Sequence, residues 1–460
     1  MSQPSLARQL TVVSATALVV SNMIGVGIFT TTGFLAGDLG QPWLVVGIWL
    51  VGAILALAGA LCYSELAVNF PRSGGEYVYL TEAWGPTWGF VNGWVSFFAG
   101  FSAPIAAAVL AICAYLAVFF PSLSSDAPAA FSVPLGIATL ELGALEAVAC
   151  AIVLAFTVVN VLGAAQVAAL QNVLTATKLI VLAGFLVLGF AIGNGDWAHF
   201  SETLPRAGST PLFGQFAVSL VFVFYGYSGW NAAVYVAEEI RDPGRTLPLA
   251  LVSGTVFVAL FYVALNVLYI YASPLSELAG VLAVGATAAT ALFGDQVGGV
   301  FAAAMALSLL ATVNAMSMIG PRVYYAMAQN GAFFSAAGRL HPRWNSPWIA
   351  VIAQGLCCCA LIVTGTFESL AYYIGFTLFF FTALAVLALF KFRQRPGWQK
   401  SPWLSLAYTV IPLAYVLMNL WVLIYFGSAR QLEAIWAVIT VLAGAAVYRF
   451  YVQPRTTADR

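Results

Sequence analysis

Hydrophobic positions in this chain fall in long unbroken runs, not in the one-sided stripes of a water-soluble helix. Twelve such runs recur, at about 11–36, 41–69, 83–120, 144–162, 165–192, 212–237, 247–272, 294–318, 347–364, 368–391, 403–427 and 431–452. Each approaches the ~20 residues that a helix needs to cross a ~30 Å hydrocarbon layer. The pattern predicts an all-α membrane protein of 12 transmembrane helices. Two runs are interrupted. The first break is Gly25-Val26-Gly27-Ile28-Phe29, and the second is Tyr225-Gly226-Tyr227-Ser228-Gly229-Trp230-Asn231. A break frees backbone N–H and C=O groups that lipid cannot satisfy, so it survives only against protein or a wet cavity. Glycines in spans also serve close helix packing. Interrupted spans in matching positions of two halves, however, point to a transporter site near the membrane midplane.

The order of the runs implies internal symmetry. The first five, about 11–192, form one repeat, and the next five, about 212–391, form a second. An odd number of spans per repeat turns the second copy upside down. The runs at about 403–452 are expected as two peripheral helices, 11 and 12, of a single transport domain covering 1–460. The first run has only Arg8 ahead of it and is expected to remain a span, not a cleaved leader. Segments 121–143 and 193–211 are read as short external loops.

Charge then fixes the orientation. With the N-terminus inside, fourteen basic residues lie in cytoplasmic segments, Arg206 and Arg430 lie outside, and Lys178 lies within a span, which accounts for all 17. Such a bias keeps basic loops cytoplasmic and places both termini there. Only 7% of the residues are charged, and the formal net charge is zero, so no attraction to nucleic acid is implied. The six cysteines lie in apolar runs as small buried hydrophobes, and the two histidines, His199 and His341, lie in loops. No spacing suits a metal site, a cofactor or a catalytic cluster. A membrane enzyme therefore has no chemistry to work with, and a channel would want polar pore rings that are not seen.

Four passages in order resemble the amino acid–polyamine–organocation transporters, nearest to the L-type amino acid exchangers and bacterial amino acid permeases. They are Met23 to Phe29; Tyr63-Ser64-Glu65-Leu66 with Phe70 to Tyr77; Tyr225 to Asn231 with Glu238 to Arg245; and Arg322, Tyr325 to Ala328, Asn330-Gly331 and Pro347. The resemblance covers about 10–390. It implies the LeuT-like 5+5 inverted repeat with discontinuous helices 1 and 6. It also implies a substrate carboxylate at Gly25, Val26 and Gly27, where a half-helix N-terminus favours an anion. Relatives often carry Ser or Thr where this chain has Val26, so backbone N–H groups must act alone. The ammonium is expected on carbonyls around Met23 and Ile24, and around Tyr225 and Ser228 with Gly226 between them. Tyr225 stands where relatives place an aromatic gate; a packed core tyrosine is the plainer alternative. Tyr227 and Trp230 are read as packing, and Asn231 as a partner for backbone groups freed by the break.

Lys178 sits mid-run, where a charge costs at least ~2.5 kcal/mol and marks a functional hypothesis. By the resemblance its ammonium bridges the first break to span 8, at Ser308, as a titrating proton-coupling group or as a fixed bridge. Glu65, Glu76, Glu82, Glu238 and Glu239 are read as cytoplasmic-end residues in loop ion pairs, with Arg72 and Arg241 as partners. Gly100, Ser102 and Ala103 offer a small, uncharged pocket wall. With no acid facing the pocket, the expected activity is secondary active transport of neutral L-amino acids by alternating access. Proton symport and amino acid exchange both stay open. The alternatives are a polyamine or cationic amino acid transporter of the same fold, and a non-transporting amino acid sensor. Residues 121–143 hold no cysteine, so no disulfide-linked ancillary subunit is expected. The lipid bilayer of the cell membrane is the expected setting.

Overall fold

The computed structural model describes residues 10–134, 139–162, 165–329, 331–401 and 407–453; Arg8, Asn330, Arg455 and Arg460, used above, lie outside them. Helix α1 (Val12–Met23) starts at Thr11, whose hydroxyl accepts the Ser14 N–H at 3.4 Å. It stops at Ile24, where ψ of 87° is no longer helical. After Gly25 and Val26, α2 (Gly27–Leu39) continues at a bend of 43° and ends on left-handed Gly40. Next come α3 (Pro42–Asn69), α4 (Glu76–Trp84), and α5 (Pro86–Val95) joined to α6 (Ala103–Leu116) through a π-helical turn at Ser96–Ser102.

Strands β1 (Phe131–Pro134) and β2 (Thr139–Leu142) then pair antiparallel, with Phe131 opposite Leu142. They correct the reading of 121–143 as plain loop and add one short hairpin to an otherwise helical fold. Four residues per strand is too short an alternation to stand out beside runs of 20.

Helices α7 (Ala144–Leu162), α8 (Ala165–Ile192) and α9 (Leu212–Tyr227) follow. After the second break comes a 3-10 segment, Ala232–Glu239, and then α10 (Pro243–Ala272), α11 (Leu275–Leu278), α12 (Val284–Phe293) and α13 (Asp295–Gln329). The chain finishes with α14 (Trp348–Thr364), α15 (Phe367–Phe392), α16 (Val410–Ala429) and α17 (Gln431–Val447). Every apolar run carries a helix. Among the described residues, ten helices are long and apolar enough to cross a membrane, eleven when the bent pair α1/α2 counts as one, and α14 is apolar at 17 residues.

The broken spans lie at the centre. α3 and α1 run along α10, α2 along α9, and α6 along α13. The segment 212–239 is 72% buried over its most apolar stretch, against 17% for the segment containing α17. Leu10 pairs with Ile240 in a parallel bridge, and Arg241 donates its N–H to Leu10 O at 2.9 Å. Phe90, midway along α5, packs on Tyr448 beyond α17 at 5.4 Å. This side of the molecule, which also carries α4, is the terminal face.

Candidate functional site

The two breaks touch. A β-carbon at Gly27 would lie 2.4 Å from Gly226 Cα, and one at Gly229, where φ is +98°, would lie 2.8 Å from the Asn22 backbone. Gly226 is further confined by Trp49, 2.8 Å from where its β-carbon would stand. Gly27 and Gly226 are therefore packing glycines that let the half-helices cross. Gly25 differs: only Met23 O lies within 4 Å of its β-carbon position, at 3.8 Å. Of the predicted glycines, Gly25 is the one that faces open space.

Val26 caps α2 without a side-chain hydrogen bond. Among the described residues, the Gly25 N–H meets the Tyr262 hydroxyl, and no backbone carbonyl accepts from the N–H groups of Val26 or Gly27. These donors sit at a helix start carrying about half a positive charge, the arrangement that suits a carboxylate.

The carbonyls at the first break are already engaged. Tyr262 on α10 donates its hydroxyl to Met23 O at 2.6 Å, and Lys178 on α8 donates to Ile24 O at 2.5 Å. Each carbonyl keeps a second lone pair. Lys178 is buried at 3% exposure, so the predicted bridge to the first break is present. Its expected partner on α13 is not: the Ser308 hydroxyl donates to Ala304 O at 2.7 Å, within its own helix. A serine in a helix satisfies itself this way readily, and spacing alone does not reveal it.

The second break falls later than expected. Tyr225, Gly226 and Tyr227 remain in α9, which ends at Ser228, and Tyr225 O accepts the Ser228 N–H at 3.1 Å. Tyr227 and Trp230 do pack. The Tyr227 hydroxyl donates to Trp49 O at 3.1 Å, and Trp230 lies edge-on to Tyr63 at 4.7 Å.

Tyr225 belongs to an aromatic layer above the breaks, on the side away from the terminal face. Its ring meets Phe367 edge-on at 6.3 Å, Phe34 stacks between Phe367 and Phe222 at 6.0 and 5.0 Å, and Phe222 reaches Tyr372 at 4.3 Å. Beyond the rings, Ser219 donates to Asp38 at 3.0 Å, and Arg430 pairs with Glu368 at 2.6 Å. Sequence reasoning found only Tyr225 here, because four more aromatics among 33 phenylalanines and 19 tyrosines carry no distinguishing signal.

The family pattern described as amino acid permease matches residues 10–447. The chain belongs to the amino acid permease family. It is similar to the b(0,+)-type amino acid transporter 1 of Mus musculus, 27% identical over 97% of this chain and 88% of that protein. It is also similar to the large neutral amino acids transporter small subunit 2 of Oryctolagus cuniculus, 29% identical over 96% and 80%. The serine/threonine exchanger SteT of Bacillus subtilis (strain 168) is 27% identical over 96% of this chain and 95% of that protein. The permease is thus a multi-pass membrane transporter of amino acids, not an enzyme.

On the terminal face of the permease, two expectations need correction. Glu76, read as a loop ion-pair residue, is buried and forms no ion pair among the described residues. Tyr63 on α3 donates to it at 2.9 Å, Asn231 donates at 2.7 Å, and Tyr235 of the 3-10 segment donates to its second oxygen. Burial pushes the carboxyl above the usual carboxylate range, against the opposing pull of these three donors. Asn231 therefore serves this carboxylate, not backbone groups freed by the break. Glu65 does form an ion pair, but with Arg393 beyond α15, at 2.9 Å to each oxygen, supported by Trp398 at 2.7 Å. Arg72 pairs with Glu82 at 2.7 Å. On α5–α6, Ser102 and Ala103 are buried, and Ser102 O accepts the Cys358 thiol of α14 at 3.4 Å. Gly100 stays exposed in the π turn.

Proposed function

We propose that this permease exchanges neutral L-amino acids across the cell membrane by alternating access. The observation that carries the reading is the N-terminus of α2, where the N–H groups of Val26 and Gly27 are unclaimed by backbone carbonyls beside Gly25, a glycine that faces open space and whose own N–H meets the Tyr262 hydroxyl. The substrate carboxylate takes these donors, and its ammonium takes the spare lone pairs of the Met23 and Ile24 carbonyls. Lys178 and Tyr262 hold those carbonyls in place as fixed bridges. Tyr225 and Phe367 cover the substrate, and the aromatic layer shuts one route while the other opens. The oxygens of Asp38 are engaged with Ser219, and those of Glu76 with tyrosines and Asn231, so both carboxylates already have partners other than a cationic substrate side chain. That supports a neutral substrate over a polyamine or cationic amino acid.

In this reading the chain has twelve spans. Residues 11–192 and 212–391 form the inverted repeats, α16 and α17 stand outside them, and both termini are cytoplasmic. It works without a disulfide-linked subunit. The name of SteT as an exchanger supports exchange over proton symport. Proteoliposomes test the reading: labelled neutral amino acid should enter vesicles preloaded with unlabelled amino acid. Binding without flux in either direction would make the chain a sensor.

A further inference from the structure

Glu76 is the buried carboxylate that the transport reading leaves without a task. It belongs to α4, outside the spans, yet it is 7% exposed and joins three separate parts of the fold. Tyr63 brings α3, Asn231 brings the second break, and Tyr235 brings the 3-10 segment that follows. The titratable groups whose charge it meets are Tyr63, Tyr79 of α4 itself, Tyr235, and Tyr415 of α16. Among the described residues no Lys, Arg or His forms an ion pair with it; the ion pairs nearby belong to Glu65 and Glu82. A buried carboxylate paired with a cation is a strut that keeps its charge. One surrounded only by hydroxyls and an amide exchanges its proton with water whenever the contact opens.

We propose that Glu76 is a proton-binding latch. Neutral, it holds the terminal-face half of the second broken span against α3 and α4; exposed to water, it loses the proton and releases that half. The bond that breaks is Glu76 O–H, and the proton passes to water at the terminal face. Tyr235 or Tyr63 can accept from the neutral acid through the phenol oxygen, so the latch stays hydrogen-bonded in its closed form. The sign follows from linkage. The buried conformation binds the proton more tightly than the solvated one, so it is favoured in acid. It loses that advantage as pH rises from the ordinary carboxylate range through the raised value. Within that window the ratio of latched to released molecules falls about tenfold per pH unit. The effect on flux rests on the exchange reading above; the latch itself does not.

Two measurements test it on the purified full chain. Thermal unfolding midpoints in detergent, from about pH 5 to about pH 9, compare wild type with Glu76→Gln, which keeps the neutral acid's donor and acceptor. The variant should match wild type in acid and gain on it steadily as pH rises. A constant offset across the range overturns the latch. Tyr235→Phe, which removes one donor to the ionised form, should move the wild-type transition to higher pH, and an unmoved transition counts against the proposal. In proteoliposomes, exchange by wild type should vary with pH while Glu76→Gln is flat, and parallel profiles overturn it. The thermal comparison needs no substrate, so a wild type that exchanges nothing refutes exchange and leaves the latch to be judged on unfolding alone.

Discussion

Glycine does two different jobs at these breaks, and the distinction decides which substitution tests binding. At Gly27 a methyl group would meet Gly226 Cα at 2.4 Å, so Gly27→Ala must push two half-helices apart. That should cost roughly 1–3 kcal/mol of stability, read as a lowered unfolding midpoint. At Gly25 the nearest atom is 3.8 Å away, so Gly25→Leu should leave the midpoint close to wild type while filling the carboxylate site. Substrate affinity should drop at least about tenfold, or 1.4 kcal/mol, by calorimetry or by ligand-induced stabilisation. Unchanged affinity in Gly25→Leu would remove the carboxylate from this helix start. The glycine cluster was legible in the chain, but the division of labour was not, because it depends on which residue of a distant run sits opposite. Ser308 shows the same limit: its type and span suited Lys178, and its own helix carbonyl took the hydroxyl.

At the scale of elements, the break in span 1 is kept open from outside. Tyr262 and Lys178 hold the Met23 and Ile24 carbonyls, which an unbroken helix would have given to residues four positions on. Tyr262→Phe removes one net hydrogen bond, worth about 0.5–1.5 kcal/mol, and should lower affinity and exchange together without changing the pH profile. Lys178→Ala should lower exchange at least about tenfold at every pH, because it removes a charged bridge from a buried carbonyl. A loss confined to one side of a pH transition would make the lysine a titrating group instead. The first break was legible almost to the residue, since Gly25 and Gly27 bracket the start of α2. The second fell three residues beyond its first predicted member, because Tyr225 to Tyr227 are buried on Trp49, Tyr262 and Phe367, and packing outweighs a single glycine's ~1 kcal/mol helix penalty. Neither α4 nor the hairpin β1–β2 was anticipated. Both are short, and two of the three side chains that close over α4's Glu76 lie over 150 residues away in sequence.

Across the whole molecule, one side of the breaks carries the aromatic layer of Phe34, Phe222, Phe367 and Tyr372, and the other carries the Glu76 contacts. In the exchange reading, rearranging either layer alters access to Gly25 from one face. Phe367→Ala should therefore raise leak or exchange asymmetry more than it lowers affinity, read as faster efflux from loaded vesicles. The membrane class, the apolar runs and the family were legible from the hydrophobic pattern and four motifs, because those features are local in sequence. The two access layers were not, since they join residues from α2, α9 and α15 on one side and from α3, α4 and the 232–239 segment on the other.

The most direct test of the exchange reading is uptake of radiolabelled neutral amino acids into proteoliposomes. One set would be preloaded with unlabelled amino acid, and the other would be empty under an inward proton gradient. Exchange predicts rapid uptake into the preloaded set alone, abolished in Gly25→Leu. Equal uptake into empty vesicles driven by the gradient would contradict it and make the permease a proton symporter.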